Sequence, residues 1–307
     1  MITTSASKTT AAKRNSLIHP VVIYPFKQPT DYSDLEPLYE MIAKLDADKE
    51  RYARPITVMD RKTSLAMNSD KEFHEFRRGS VAKHSDVLDA WCVDTCQMWY
   101  SGLGAAMDKG EAGDVFWLIP GDFNYGTQVG KEVLANLWQL PEAVGGKEQD
   151  LCIGEITLCV ESSKQMIDTY GTFALLYNGF PVEARKIRQL TERPRSEFFA
   201  IGHGFLHEVL RQRWYAYEQT TVMLLLAVFG SKRVGQLAIG DISDLPLGKE
   251  SLASAIIQIE RIEWVLKNFW LERNQAMVGL VENYRILQAQ SEQVCRTAQI
   301  LLQNALV

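Results

Sequence analysis

Three aspartates follow apolar runs in this sequence, at positions where the side chain at a strand end could reach a ligand. They are Asp60, Asp122 and Asp241. Carboxylate oxygens bind divalent cations such as Mg²⁺ and take up protons from reacting groups, so they suit metal-assisted and acid–base chemistry. Open α/β sheets bind ligands beyond the carboxyl ends of their strands. We therefore predict an active site at such an edge, with Asp122 at its centre.

The stretch around Asp122 carries the strongest local signal. Val115 to Ile119 is a continuous apolar run, which is typical of a strand buried on both faces of a parallel sheet. Pro120 and Gly121 end that run, because proline lacks the ladder donor and glycine permits a sharp turn. The alternative is that an aspartate after a strand only caps a helix or forms a turn.

The elements that would position these residues alternate between strand and helix. Strands are predicted at residues 20–26, 55–60, 115–119, 151–158, 197–202 and 234–239. Helical patterns lie near residues 31–45, 85–110, 128–140, 162–177, 204–213 and 218–229, and residues 61–79 are predicted to form a long loop. This alternation is typical of βαβ units. It predicts an α/β fold with a Rossmann-like, mainly parallel sheet flanked by helices and a long C-terminal helical extension.

The chain divides into three predicted regions. Residues 1–16 are rich in Ser, Thr, Ala and Lys and are predicted to form a disordered leader, and residues 17–246 form the α/β domain. From Lys249 onward there is no proline and the only glycine is Gly279, so residues 247–307 are predicted to be helical, with a joint near residues 274–279. Their apolar stripe would either dock on the sheet or pair with a second copy. A homodimer through these helices is predicted.

The composition argues against several classes of protein. The 307 residues carry a net charge of −5, which disfavours nucleic acid as a partner because phosphate contacts need a basic surface. No stretch approaches the ~20 apolar residues of a transmembrane helix. The five cysteines form no disulfide framework and the first residues lack an apolar signal core, so a cytoplasmic protein is predicted.

The order of these features resembles the GT-A type of nucleotide-sugar glycosyltransferase, in particular its family-2-like group. The second strand of that group ends in Val-Asp-Asp-Gly-Ser-like residues, and here Val58-Met-Asp60-Arg-Lys-Thr63-Ser64 stands in the matching place. A hydrophobic strand then leads to the metal-binding Asp-X-Asp element, which would be Gly121-Asp122-Phe123, with one acid. Arg195-Ser-Glu-Phe-Phe-Ala-Ile201 followed by Tyr217-Glu218-Gln219 resembles the acceptor-side end of the family. The resemblance covers about residues 20–245.

The resemblance implies a role for each candidate residue. Asp122 would bind Mg²⁺ or Mn²⁺, which neutralises the charge that develops on a nucleotide diphosphate as the sugar bond breaks. Asp60, Tyr24 and Arg195 would contact the nucleotide, and Glu218 would act as general base towards the acceptor hydroxyl. The implied activity is an inverting transfer of a sugar from a nucleotide-diphosphate donor to a hydroxyl of a small-molecule or lipid-linked acceptor.

Other interpretations stay open. Glu218 also fits a solvated first-turn residue that stabilises the helix dipole, and the basic run from Arg185 to Arg195 also fits a solvated helix face. A non-catalytic binding or assembly protein would keep the α/β scaffold with the single acid Asp122. A nucleotidyltransferase of similar fold would need a glycine-rich, basic loop after the first strand, which Lys27-Gln-Pro-Thr30 does not supply.

Overall fold

The computed structural model describes most of the predicted α/β domain and one long helix after it. The described residues are 16–24, 35–61, 65, 70–90, 95–121, 123–146, 148–158, 165–212, 219–242, 252–273, 288–289, 291–293 and 296. The strands within them are β1 (Ile18–Tyr24), β2 (Ile56–Asp60), β3 (Asp86–Ala90), β4 (Val115–Pro120), β5 (Leu151–Leu158), β6 (Phe199–Gly202) and β7 (Val234–Ile242).

These strands form one seven-stranded sheet in the order β3-β2-β1-β4-β6-β5-β7. Neighbouring strands are parallel except around β6, which runs antiparallel to both β4 and β5. The predicted α/β class with a mainly parallel sheet is confirmed. Because β2, β1 and β4 are adjacent and parallel, their carboxyl ends meet at the same edge of the sheet.

Helices cover both faces of this sheet. They are α1 (Glu36–Ala47), α2 (Lys71–Phe76), α3 (Thr95–Met107), α4 (Gln128–Leu137), α5 (Gln139–Gly145), α6 (Thr172–Gly179), α7 (Pro181–Leu190), α8 (His203–Leu210), α9 (Gln219–Phe229) and α10 (Leu252–Arg273). A π-helical turn, Arg77–Val81, follows α2, and a second one, Met166–Gly171, precedes α6. Local π-helical geometry is often found near functional sites.

The two faces of the sheet are packed by separate apolar clusters, and β4 contributes to both. Phe116 and Leu118 face the cluster that contains α3, α6, α7, α8, α9 and α10. Val115, Trp117 and Ile119 face the cluster that contains α1, α2, α4 and α5. Every residue of β4 is therefore buried, which is the physical reason that its sequence shows no polar alternation.

The predicted helix at residues 85–110 is wrong in its first part. Residues Asp86–Ala90 form β3, which pairs in parallel with β2 from Ile56 to Asp60. The helix itself begins at Thr95 and ends at Met107. Backbone pairing with β2 satisfies the hydrogen-bonding groups of this segment, and it overrides a local pattern that fits a helix as well as a strand.

The predicted long loop at residues 61–79 is also wrong in its second half. Asp70 accepts a hydrogen bond from the Phe73 amide at 3.1 Å and so caps α2, which continues into the π-helical turn. Phe73 is fully buried, and Phe76 is partly buried with its ring 5.3 Å from that of Tyr39, so these two residues anchor an otherwise polar helix. Two apolar residues in six give too short a pattern to show a helical period, so the sequence pattern missed the helix.

The helix predicted at residues 128–140 is divided into α4 and α5, which meet at Trp138. Pro141 lies in the first turn of α5, where a missing amide donor is tolerated. The predicted helix at residues 162–177 is described from residue 165 onward and consists of the second π-helical turn followed by α6.

Helix α10 docks on the α/β domain of its own chain. Ile262, Val265, Leu266 and Phe269 are buried, and the Phe269 ring lies 5.9 Å from that of Phe180. The predicted joint at residues 274–279 lies outside the described residues. Dimerisation through the C-terminal helices stays a prediction. None of the described helices is both long and apolar enough to cross a membrane.

Candidate functional site

The carboxyl ends of β2 and β1 bring two candidate residues to one edge of the sheet. Tyr24 is the last residue of β1 and is aligned with Met59 of β2. Asp60, the last residue of β2, follows directly. Since neighbouring strands lie about 4.8 Å apart, the backbones of Tyr24 and Asp60 are neighbours. The side chain of Tyr24 falls outside the described part of the chain.

Gly121 fixes the chain that leads to Asp122 against the other side of β1. Its amide donates to the carbonyl of Ile23 at 2.6 Å, which extends the β1–β4 ladder beyond Pro120. A Cβ at position 121 would lie 2.5 Å from the Ile23 carbonyl oxygen. Only glycine fits this approach. Asp122 itself lies outside the described residues, but the residue before it is held at the edge shared with Tyr24.

Tyr125 holds the chain that follows Asp122. Its side chain is fully buried, and its hydroxyl donates to the Pro120 carbonyl at 2.5 Å, so the bond closes a loop around residues 121–124. Phe123 lies 5.3 Å from the Tyr125 ring and 5.9 Å from the ring of Phe198, between ring centroids. Asp122 is therefore flanked by two residues, Gly121 and Phe123, whose backbone and ring contacts are both defined.

The end of this loop is fixed by the start of α4. Thr127 is its N-cap: the Thr127 side-chain oxygen accepts from the Gly130 amide at 3.0 Å, and its hydroxyl donates to the Asn124 carbonyl at 3.0 Å. A Cβ at Gly130 would lie 2.1 Å from the Asn124 carbonyl oxygen, so the helix and the loop touch through backbone. The residues that follow Asp122, from Asn124 to Gly130, are consequently held by these hydrogen bonds and by the close backbone contact.

Tyr125→Phe is expected to destabilise the protein by about 1–3 kcal/mol, because it leaves the buried Pro120 carbonyl without its donor. Urea unfolding of wild type and variant measures this difference. Tyr177→Phe is the matched control, since Tyr177 is 41% exposed and its loss of a hydroxyl should change stability little. Equal stability of the two variants would show that the Tyr125 bond does not hold the loop.

Asp60 is fully buried at the end of β2, and it has interactions within the protein. Its backbone is paired with Ala90 of β3. A carboxylate in this position is unusual, because burying a charge is unfavourable unless other groups compensate for it. Asp60, the predicted nucleotide-binding residue, lies at the carboxyl end of β2, and the next residue, Arg61, is exposed.

Arg195 lies in a buried cluster on the β5 side of the same edge. One terminal nitrogen, Nη1, donates to Asp168 Oδ1 at 2.7 Å and to Gln258 Oε1 at 3.3 Å. Arg193 approaches the other oxygen of Asp168 at 3.2 Å and donates to the Ile156 carbonyl at 2.8 Å. The Arg195 side chain is 1% exposed. Two guanidinium groups thus share one carboxylate next to the end of β5.

Asp168 is a central residue of this cluster that the sequence reasoning missed. It lies in the second π-helical turn, and 27 residues separate it from Arg195. The available signal is its spacing: Asp168, Thr172 and Leu176 recur at four-residue intervals and are all buried. A carboxylate on the apolar stripe of a helix needs a buried partner, and the arginines of residues 185–195 are the nearest candidates in the sequence.

Two candidate residues lie outside the described part of the chain. Asp122 is one, and Glu218, which directly precedes α9, is the other. Among the described residues, no group of three or more His, Cys, Asp or Glu side chains could hold a metal ion. The donor chemistry of Asp122 fits Mg²⁺ or Mn²⁺, because such ions take one or two protein carboxylates and complete their oxygen ligands with substrate phosphates and water.

Asp241 does not follow a strand as predicted, because β7 continues to Ile242. It is aligned with Thr157 of β5, beyond an irregularity in register between Glu155 and Ile156. Because β7 is the outermost strand of the sheet, three strands separate Asp241 from β1. Asp241 is therefore not part of the candidate site at the ends of β2, β1 and β4.

A buried His19–Asp114 pair lies at the opposite edge of the sheet, at the start of β1 and β4. His19 Nε2 is 2.9 Å from Asp114 Oδ2, and the amides of Leu17 and Glu111 also donate to this carboxylate. Burial raises the pKa of Asp114, but the hydrogen bonds from those two amides and the interaction with His19 together lower it by more. The pKa of Asp114 therefore lies below its ordinary range. The pair joins the two strands and the segment before β1, away from the candidate site.

This architecture is the GT-A fold of nucleotide-sugar glycosyltransferases, as the sequence resemblance predicted. Glucosyl-3-phosphoglycerate synthase of Mycobacterium tuberculosis matches with a TM-score of 0.53 and 13% identity, over 80% of this chain and 78% of that chain. Its complex with uridine diphosphate matches with 0.53 and 13%, over 84% and 80%. Its complex with Mn²⁺, UDP-glucose and phosphoglyceric acid matches with 0.52 and 12%, over 80% and 77%.

The likeness to these structures is one of fold, because the identity is low. Comparisons with protein-family models and with curated proteins find no match. The candidate residues at the edge formed by β2, β1 and β4 are supported by the contacts described above.

Proposed function

We propose that this chain is a glycosyltransferase that moves a sugar from a nucleotide-diphosphate donor to a hydroxyl acceptor. The observation that carries the proposal is the position of Gly121 and Tyr125, on either side of Asp122, after the end of β4. Gly121 and Tyr125 hold the residues on both sides of Asp122 at the sheet edge that β1 and β2 share. The similarity to the GT-A fold supports the choice of a nucleotide sugar as the donor to test at this edge.

Each candidate residue takes one role in the proposed reaction. Tyr24 and Asp60, adjacent at the ends of β1 and β2, contact the nucleoside part of the donor. Asp122 would hold a divalent cation, Mg²⁺ or Mn²⁺, and the cation would neutralise the negative charge on the leaving diphosphate. Arg195 adds a buried positive charge on the β5 side, oriented by Asp168.

Glu218 acts as general base in this proposal. It takes the proton from the acceptor hydroxyl as the oxygen attacks the anomeric carbon on the face opposite the leaving diphosphate, which inverts the configuration. What supports this role is its place in the sequence directly before α9, in the segment that resembles the acceptor-side end of the family.

The solved structures support the choice of ligands to test. Glucosyl-3-phosphoglycerate synthase has been solved with Mn²⁺, UDP-glucose and phosphoglyceric acid, and also with glycerol 3-phosphate in place of that acid. For this chain we propose a nucleotide-sugar donor and a small-molecule or lipid-linked hydroxyl acceptor. UDP-glucose with Mn²⁺ is the first donor to test, and phosphoglycerate the first acceptor.

Thermal unfolding in the presence of UDP- and GDP-sugars, each with Mn²⁺ or Mg²⁺, tests the proposal. A bound ligand at a concentration of 100 dissociation constants should stabilise the protein by about 2.7 kcal/mol. We expect stabilisation by at least one nucleotide sugar, and a smaller effect when EDTA removes the cation. No stabilisation by any of these donors would contradict the proposal.

Transfer is measured separately from binding. Release of free nucleotide diphosphate in the presence of phosphoglycerate or other hydroxyl acceptors reports the reaction. A protein that binds the nucleotide sugar but transfers the sugar to none of them supports the alternative of a non-catalytic binding protein.

A further inference from the structure

Helices α6 and α7 form a hairpin on the surface of the domain, joined by Phe180. The Phe180 ring is buried and lies 6.3 Å from Phe229 and 5.9 Å from Phe269, so the connection is anchored on α9 and α10. The guanidinium of Arg188 lies 4.8 Å from the centroid of the Phe173 ring and holds the two helices together. The hairpin is thus a fixed part of the fold with one side exposed.

This hairpin and the π-helical turn that precedes it, Met166–Gly171, carry a high share of the exposed apolar side chains. Four of the seven large hydrophobic side chains that are exposed in the described part of the chain lie in residues 166–182, so they form a concentration and not a scatter. Met166 and Val182 are each 57% exposed, and Tyr170 and Tyr177 are 46% and 41% exposed. Tyrosine is enriched at surfaces where one end of the ring is wet and the other apolar.

Cationic side chains lie beside these apolar groups. Val182, Arg185 and Lys186 are exposed on α7 at the three- and four-residue spacing that places them on one side of a helix. Within the described part of the chain, neither Arg185 nor Lys186 has an ion-pair partner. The acidic residue of the same helix, Glu183, is half-buried. We call this surface the hairpin face; it consists of Met166, Tyr170, Tyr177, Val182, Arg185 and Lys186.

We propose that the hairpin face binds the surface of an anionic lipid bilayer. Tyrosines and aliphatic side chains enter the boundary between head groups and acyl chains, whereas lysine and arginine pair with anionic head groups. The chain as a whole has a net charge of −5, so a bilayer of negative charge attracts it only through a locally basic surface. Binding would therefore occur in one orientation.

One end of the hairpin face is connected along the chain to the buried arginine cluster. Met166 is two residues from Asp168, which binds Arg193 and Arg195. The inference goes beyond the proposed glycosyltransferase activity, because it concerns a surface whose binding is measured without donor or acceptor.

Sedimentation of the full chain with vesicles tests the proposal. We expect the protein to pellet with vesicles of phosphatidylcholine mixed with phosphatidylserine and to stay in solution with phosphatidylcholine alone. Because each basic residue contributes to binding at an anionic surface, Arg185→Glu with Lys186→Glu should weaken binding roughly tenfold or more. Tyr177→Ser with Val182→Ser should weaken it as well, since both apolar contacts are lost.

The matched control is Lys71→Glu with Lys83→Glu, which changes the charge of the chain by the same amount. Both lysines are exposed on the segment between β2 and β3, at the other side of the sheet. We expect this variant to bind anionic vesicles like wild type, and thermal melting confirms that each variant is folded. Wild-type protein that stays in solution with anionic vesicles, or a control variant that loses as much binding as the hairpin variants, overturns the proposal.

Discussion

Asp122→Asn is expected to remove the cation-dependent stabilisation by nucleotide sugars and to lower the rate of sugar transfer roughly 10²–10³-fold. The amide keeps the size of the side chain but lacks the negative charge that holds a divalent cation. A metal ion on a transferring diphosphate contributes several kcal/mol of transition-state stabilisation, and 1.36 kcal/mol corresponds to a factor of ten in rate. Thermal shift with UDP-glucose and Mn²⁺, and assays of nucleotide diphosphate release, measure the two effects.

Asp108→Asn is the matched control for this substitution. Asp108 is exposed in the turn after α3, at the edge of the sheet where β4 begins, so it lies away from the candidate site. The control should bind nucleotide sugar with Mn²⁺ and transfer sugar as wild type does. An Asp122→Asn protein that behaves like this control would remove Asp122 from the site and leave the metal without its proposed ligand.

The sequence was sufficient to predict the centre of this fold because the central strands carry continuous apolar runs. Residues 115–119 and 55–60 were predicted almost to their observed ends, since both faces of β4 and β2 are buried. The same runs contain no information on direction. That β6 is antiparallel and lies between β4 and β5 follows from packing between distant segments, which a four-residue apolar strand does not encode.

The errors in the prediction have a common physical cause. Asp86–Ala90 fits either a helix or a strand by its local pattern, and only its pairing with β2 decides between them. Lys71–Phe76 is polar apart from Phe73 and Phe76, so the tertiary packing of two side chains stabilises a helix that is too short to show a period. In both segments the contact that determines the structure involves residues far away in the sequence.

The sequence predicted where the candidate site lies, but not the contacts that hold its residues in place. The end of an apolar run indicated Asp60, and the Pro120–Gly121 pair after such a run indicated Asp122. Both are local signals that the sequence shows directly. The bond from Tyr125 to Pro120 and the close approach of Gly121 to Ile23 were not predicted, since they depend on how the turn folds. Arg195 was predicted as a ligand contact, but its pairing with Asp168 was missed, because the only local signal is the four-residue spacing of Asp168 with the buried residues Thr172 and Leu176.

Asp168→Asn is expected to destabilise the protein by about 3–5 kcal/mol. The substitution leaves the buried side chains of Arg193 and Arg195 without their shared negative charge, and removing one partner of a buried ion pair has an effect of this size. Glu192→Gln is the control. Glu192 lies 3.9 Å from Arg188 with 69% of its side chain exposed, so its loss should change the free energy of unfolding by less than about 1 kcal/mol. Urea unfolding measures both.

The same variant separates two roles of Arg195. Asp168 orients the guanidinium from the β5 side, and Gln258 of α10 contacts the same nitrogen. If Arg195 also contacts the nucleotide, folded Asp168→Asn protein should show weaker stabilisation by UDP-glucose than wild type, because the guanidinium is no longer fixed. Stabilisation equal to that of wild type would assign Arg195 to the structure alone, and the proposed nucleotide contacts would then be Tyr24 and Asp60.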